Sequence, residues 1–144
     1  MASWSSITVR PAGSSDAAAL LSLASSFATS FTVDAERFGS QLGAILSDPA
    51  SVLSVAVTDG EVVGYVAASL HPTLYANGPA GWIEELMVHP AHRRGGVGRL
   101  LVSAVERWAQ ARGAVMVSLA TRRAAEFWSA AGYEASATYF RKVL

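Results

Sequence analysis

The chain is 144 residues long, 51% hydrophobic, with a formal net charge of zero and no cysteine. That length fits one domain with a sizeable core, and the composition argues against disorder. The missing thiols exclude disulfides, thiolate metal sites and a cysteine nucleophile, and three scattered histidines without H-x-x-x-H spacing offer no zinc site.

In chain order, residues 1–6 lack a charged region followed by an apolar one, so they do not read as a secretory signal. Residues 7–11 read as an opening strand closed by Pro11-Ala12-Gly13. Ser14 or Ser15 is placed to cap a helix carrying Ala18, Leu20, Leu21, Leu23 and Ala24. A break rich in Ser, Thr and Phe (25–32) precedes a second helix over roughly 34–47, starting near Asp34. Residues 52–57 and 61–67 are expected strands joined by an Asp59-Gly60 hairpin turn. A loop over 71–81 leads to a strand over 82–88.

Next comes an amphipathic helix with Leu100, Leu101, Ala104, Val105 and Trp108 on one side, stopped by Gly113. Residues 114–119 read as a buried strand, 122–131 as a short helix stopped by Gly132, and 133–144 as one or two final strands. The order βααβββαβαβ(β) shows no repeat and no linker, so residues 1–144 form one expected domain. Early strands can pair antiparallel, whereas the strand–helix–strand unit over 83–119 calls for a parallel crossover. The expected class is α/β: a mixed, mostly antiparallel sheet with a central parallel pair and helices on both faces.

The most informative stretch is Val88-His89-Pro90-Ala91-His92-Arg93-Arg94-Gly95-Gly96-Val97-Gly98. A strand ends at a proline, two arginines follow, and glycines open a helix. Helix N-termini present unpaired N–H donors and a partial positive charge, which suits a phosphate. Glycine adds freedom to reach positive φ and removes the Cβ that would hold a diphosphate away. A dinucleotide G-x-G-x-x-G from Gly96 would need glycine where Leu101 stands, and no Lys-Ser or Lys-Thr follows to make a P-loop. What remains is Arg93-x-x-Gly96-x-Gly98.

That pattern resembles the acetyl-CoA motif [QR]-x-x-G-x-[GA] of the GNAT superfamily of N-acetyltransferases. A second patch, Ala125-Glu126-Phe127-Trp128-Ser129-Ala130-Ala131-Gly132-Tyr133, is similar to the family's A-x-x-F-Y-x-x-x-G-F segment. The ending from Tyr139 to Leu144 also looks like the superfamily's closing strands, so the likeness covers nearly the whole chain.

The resemblance implies acetyl-CoA as cosubstrate. Backbone of Leu86, Met87 and Val88 would pair with the pantetheine arm, and N–H groups from Arg93 through Arg94, Gly95, Gly96 and Val97 to Gly98 would hold the diphosphate. It implies direct acetyl transfer to a primary amine of a small-molecule or peptide acceptor. The family tyrosine of the F-Y segment, often the acid toward sulfur, is here Trp128, which cannot deliver a proton near neutral pH. Thr121 stands at another cofactor-contacting position, where asparagine is common.

Candidate catalytic residues are Glu84 and Glu85, on opposite faces by strand period, and Tyr133 and Tyr139 as alternative hydroxyls. His89 and His92 border the cradle, and Arg122 and Arg123 open the last helix. The acceptor is expected between residues 26–34 and the final strands, with Phe27, Phe31, Tyr75 and Trp82 as candidate aromatic walls.

Charge is uneven. Residues 1–80 hold two cations and six acids, residues 81–144 nine cations and five acids, as suits an enzyme joining a cationic amine to a polyanion. One short basic cluster without a stripe argues against a nucleic-acid partner, and no apolar run is long enough to span a membrane. Cytoplasmic location is the default expectation, and a homodimer is expected by analogy with relatives that pair through terminal strands. Two rival readings stand beside the enzyme: a non-catalytic acyl-CoA-binding or regulatory module, and an unrelated nucleotide-phosphate binder.

Overall fold

The computed structural model describes residues 6–28 and 30–144; the reading made of residues 1–5 lies outside the described part. The elements are β1 (Thr8–Pro11), a 3-10 turn (Ser14–Asp16), α1 (Ala17–Phe27), α2 (Ala35–Ser47), β2 (Ser51–Thr58) and β3 (Glu61–His71). They continue with β4 (Ala80–Val88), a second 3-10 turn (Pro90–His92), α3 (Val97–Ala111), β5 (Met116–Leu119) and α4 (Ala125–Ala130). The sheet runs β1-β2-β3-β4-β5, antiparallel throughout except for the parallel pair β4–β5. Asp59 and Gly60, both at positive φ, close the β2–β3 hairpin as their sequence requires.

Each face of the sheet carries its own core. α3 lays Val97, Leu101, Val102 and Val105 on Ala56, Val66, Ala68 and Ile83, and Trp128 of α4 completes that cluster. α1 and α2 cover the opposite face with Leu20, Leu23 and Leu42 against Leu53, Val55, Tyr65 and Met87. The buried stripe of α3 is rotated from the expected one, for Val102 and Ala109 are buried while Leu100 is 43% exposed. Both stripes satisfy helical period, and the tertiary fit to the sheet chose between them.

Three expectations are corrected. Residues 133–144 form no ladder strand. Beyond the Tyr133 N–H, which donates to the Trp128 carbonyl at 2.9 Å, their ties are made by side chains: Tyr139 stacks on Trp82 at 6.4 Å, and Arg141 donates to Ser30 Oγ at 2.9 Å. The run Glu134-Ala135-Ser136-Ala137-Thr138 supplies little β-forming character to hold a ladder. In consequence β5 is an edge strand rather than a buried one, its residues partly exposed, and the parallel pair lies at the side of the sheet. The last helix starts at Ala125, which leaves Arg122 and Arg123 in the loop before it.

The start of α1 is fixed by Asp16, not by a serine cap. Its carboxylate accepts from both Arg10 guanidinium nitrogens, at 2.8 and 2.9 Å, and from the Gly13 N–H at 2.8 Å. Arg10 first, then Gly13, hold the Asp16 carboxyl down to about 2. A folded-state pKa below the unfolded one stabilises the fold above about pH 4, and the contribution is lost as pH falls through about 2. Arg10 is 45% exposed, so solvent screens the pair. Asp16→Asn is expected to lower Tm by about 3 °C at neutral pH, with the gap to the parent closing toward pH 2. Melts at both pH values check this, and an unchanged gap at low pH would contradict it.

Candidate active-site cleft

β4 pairs with β3 along its whole length but with β5 only through Ala80, Gly81, Trp82 and Ile83. From Glu84 to Val88 the β5-facing edge of β4 has no strand beside it. The two parallel strands part there, and a cleft of about 2010 Å³ opens between the sheet, the α1–α2 loop, the N-terminus of α3 and the segment leading into α4. Leu86, Met87 and Val88 all line it, as do Arg93, Arg94, Gly96, Val97 and Gly98.

The cradle at the head of α3 is built from backbone. Arg94 and Gly96 both take positive φ (66° and 87°), which turns the loop so that consecutive amides approach the helix start. Leu100 N–H is the first to find an i−4 carbonyl, at Gly96. The N–H groups from Arg94 to Arg99 have no acceptor among the described residues, and no side chain caps the helix. A Cβ on Gly98 would stand 3.2 Å from the Phe127 ring, whereas one on Gly96 would meet nothing within 4 Å. Gly95 lies off the cleft lining, and a Cβ there would meet the His92 carbonyl at 3.7 Å.

The two arginines differ. Arg93 folds back, its Nε donating to the Val88 carbonyl at 3.0 Å and its Nη2 lying 3.8 Å from Met87 Sδ, so it braces the end of β4. Arg94 has no side-chain partner among the described residues and leaves its full charge to the cleft. Arg99, Arg122 and Arg123 join it on the lining. His89 turns its Nδ1 to the Ala91 N–H at 3.1 Å, while His92 reaches the lining. Thr121 also lines the cleft, its hydroxyl accepting from Ala124 N–H at 3.2 Å and shaping the turn into α4.

The carboxylates occupy the other end, and here the period-2 reading is corrected. β3 and β4 slip register between Ala67 and Ala68: Ala67 pairs with Glu85 and Ala68 with Ile83, leaving Glu84 as an extra, bulged residue. A bulge puts two residues opposite one and re-aims the side chains. Both glutamates therefore point to the α1–α2 face, and both line the cleft and an adjoining depression of about 140 Å³ beside Ser51 and Ser69. Each is held by an aromatic donor. Tyr65 O–H donates to Glu85 Oε1 at 2.7 Å, and Trp82 Nε1–H to Glu84 Oε2 at 2.9 Å.

The candidate tyrosines are not brought to this place. Tyr133 O–H donates to Glu106 on α3 at 2.9 Å, and burial with that bond raises its pKa well above the ordinary phenol. Tyr139 lies outside the cleft lining, stacked on Trp82. Tyr75 is 77% exposed and away from the cleft, whereas Phe27 and Phe31 do line it. Tyr65, the residue that sequence reasoning missed, is buried in β3 (3% exposed) with its hydroxyl at the cleft floor. Burial first, then the neighbouring Glu85 charge, pushes that phenol above its ordinary value, so it stays protonated as a donor.

Trp128 lines the cleft yet belongs to the core, edge-on to Phe127 at 5.0 Å and to Tyr133 at 5.1 Å. Trp128→Tyr is expected to leave kcat unchanged or lower it, because a phenol under-fills the indole's place. A hundredfold rise in kcat at unchanged KM would contradict this, since it would mean that an acid had been missing there.

Comparison with known proteins identifies this architecture. Residues 19–133 match the family model for the acetyltransferase (GNAT) family. The chain is 36% identical over 117 residues to an aminoglycoside N(6')-acetyltransferase type 1 of Klebsiella aerogenes, covering 76% of this chain and 74% of the relative. It is 32% identical over 116 residues to an aminoalkylphosphonate N-acetyltransferase of Salmonella typhimurium, covering 78% and 75%. Among solved structures, glucosamine-6-phosphate N-acetyltransferase of Arabidopsis thaliana superposes with a TM-score of 0.85 at 19% identity, over 96% of this chain and 98% of that one. An aminoglycoside N-acetyltransferase in complex with CoA gives 0.85 at 20%, over 99% and 98%. The chain belongs to the GNAT family and is an acetyltransferase of that family. Among the described residues, no helix is long and apolar enough to cross a membrane.

Proposed function

We propose that this acetyltransferase takes acetyl-CoA and transfers its acetyl group directly to the primary amine of a small acceptor. The carrying observation is one cleft with two chemically opposite ends. A strand edge and a helix start offer unpaired N–H groups and arginines at one end, and two fixed carboxylates lie at the other. The residues fit the cosubstrate. The amides from Arg94 to Arg99, with Arg94 beside them, suit a diphosphate, and the open edge of β4 from Leu86 to Val88 suits an amide-bearing arm laid as an added strand. Acetyl-CoA would supply an acyl group activated by a thiolate leaving group.

This chain's own groups do the rest. Glu85, fixed by Tyr65 and partly buried, accepts the proton that the ammonium must lose, directly or through a water. Glu84, more exposed and tied to Trp82, attracts and orients the cationic acceptor. Trp128 has no proton to give near neutral pH and the Tyr133 hydroxyl beside it is turned to Glu106, so release of the thiolate proceeds without a dedicated acid from α4.

A screen of CoA release against amines, including aminoglycosides, aminoalkylphosphonates, polyamines and amino acids, tests the reading. Amine-dependent release with at least one class is expected. Thermal stabilisation by acetyl-CoA without turnover of any amine would favour the binding-module reading, and equal stabilisation by ATP or NAD would favour a general phosphate binder.

A further inference from the structure

We propose that Tyr65 is a positioning residue for the transfer step, fixing the Glu85 carboxylate so that one oxygen is held and the other is presented to the incoming amine; this rests on Glu85 as proton acceptor. The geometry is set by the β3–β4 ladder next to the bulge. Tyr65 pairs across the ladder with Met87 and Ala67 with Glu85, so Glu85 lies on the face of Tyr65 one diagonal step along, and the slip at Ala67/Ala68 begins only beyond it. The hydroxyl meets Glu85 Oε1 at 2.7 Å, and its ring is anchored among Leu20, Leu23, Leu42 and Leu53, so the donor cannot swing away. A single hydrogen bond from a rigid, buried donor restricts the carboxylate's rotation, and pre-set geometry is what a proton acceptor needs.

The phenol itself moves no proton. It stays a donor across the working pH range, being pushed above its ordinary value by burial and by the Glu85 charge. Removing the donor therefore loosens Glu85 while leaving the carboxylate itself in place. Other charged groups on the cleft lining that face this region are Glu84 on β4, Asp34 and Arg37 at the start of α2, Arg141 on the tail, and His92 and Arg93 at the cradle. α1 contributes no titratable side chain, and none of the named groups contacts the Tyr65 hydroxyl.

The test is a double-mutant cycle with Tyr65→Phe and Glu85→Gln, run on the full chain with an amine that the wild type acetylates. Phenylalanine keeps the ring in the core, and circular dichroism and Tm confirm folding. Tyr65→Phe is expected to lower kcat about tenfold and to leave KM for acetyl-CoA unchanged. In the Glu85→Gln background the same change should cost no more than twofold. A full tenfold loss in that background, or a Tyr65→Phe enzyme with wild-type kcat, would overturn the inference while leaving the assigned role of Glu85 intact. A Glu85→Gln enzyme with wild-type kcat would overturn both.

Discussion

Gly96→Val is expected to weaken acetyl-CoA binding at least a hundredfold while the domain still folds. Gly96 sits at φ 87°, and a Cβ there meets no protein atom within 4 Å. The new side chain would project into the open cradle, beside the amides from Arg94 to Arg99, without disturbing the core. The local cost is that of a β-branched residue in the left-handed region, of order 2 kcal/mol, which a domain of this size can absorb. The loss of binding comes from blocking several charge-assisted N–H contacts together, each worth about 1.5–3 kcal/mol.

Gly98→Val is the poorer probe, because its Cβ would press on Phe127 at 3.2 Å and mix packing with binding. Arg93→Ala should be milder, about 1–2 kcal/mol, and part of that would act through its brace on the Val88 carbonyl. Isothermal titration with acetyl-CoA, with Tm as the folding control, reads all three. Parent-like affinity in a folded Gly96→Val protein would contradict the cradle.

Glu85→Gln is expected to lower kcat by about 10²–10⁴, because the amide keeps the shape and the bond from Tyr65 but accepts no proton. Glu84→Gln should act mainly on the acceptor, raising its KM several-fold with a smaller effect on kcat. Steady-state kinetics at saturating acetyl-CoA separate the two. A larger kcat loss at Glu84 than at Glu85 would exchange their roles.

What could be read from the sequence, and what could not, divides along physical lines. The Asp34 start of α2, the Asp59-Gly60 turn and the glycine-led start of α3 were legible because local chemistry fixes each: a side-chain cap, two positive φ angles, and a helix opening without a Cβ. The pairing of Glu84 and Glu85 on one face was not legible. A bulge is a property of two strands in register, and alternation along one strand alone puts the residues on opposite faces.

Tyr65 was missed for a related reason. In a run of Val, Tyr and Ala it looks like ordinary core, and only its cross-strand neighbours show that the hydroxyl meets a carboxylate. Tyr133 fails the other way: the sequence offers it as an alternative hydroxyl for the site, yet the fold turns that hydroxyl toward Glu106. Residues 133–144 carry aromatic and apolar side chains that invite a strand reading, but those side chains attach to Trp82 and Ser30 without a ladder.

The most direct measurement is a single-turnover experiment with acetyl-labelled acetyl-CoA and enzyme in excess, quenched over time with and without an accepting amine. With the amine, label should pass into N-acetylated product in one phase, and neither condition should leave label on the protein, since no cysteine is present and the proposed reaction has amine and thioester meet in one cleft. A stoichiometric protein-bound acetyl group that the amine discharges at a competent rate would contradict direct transfer.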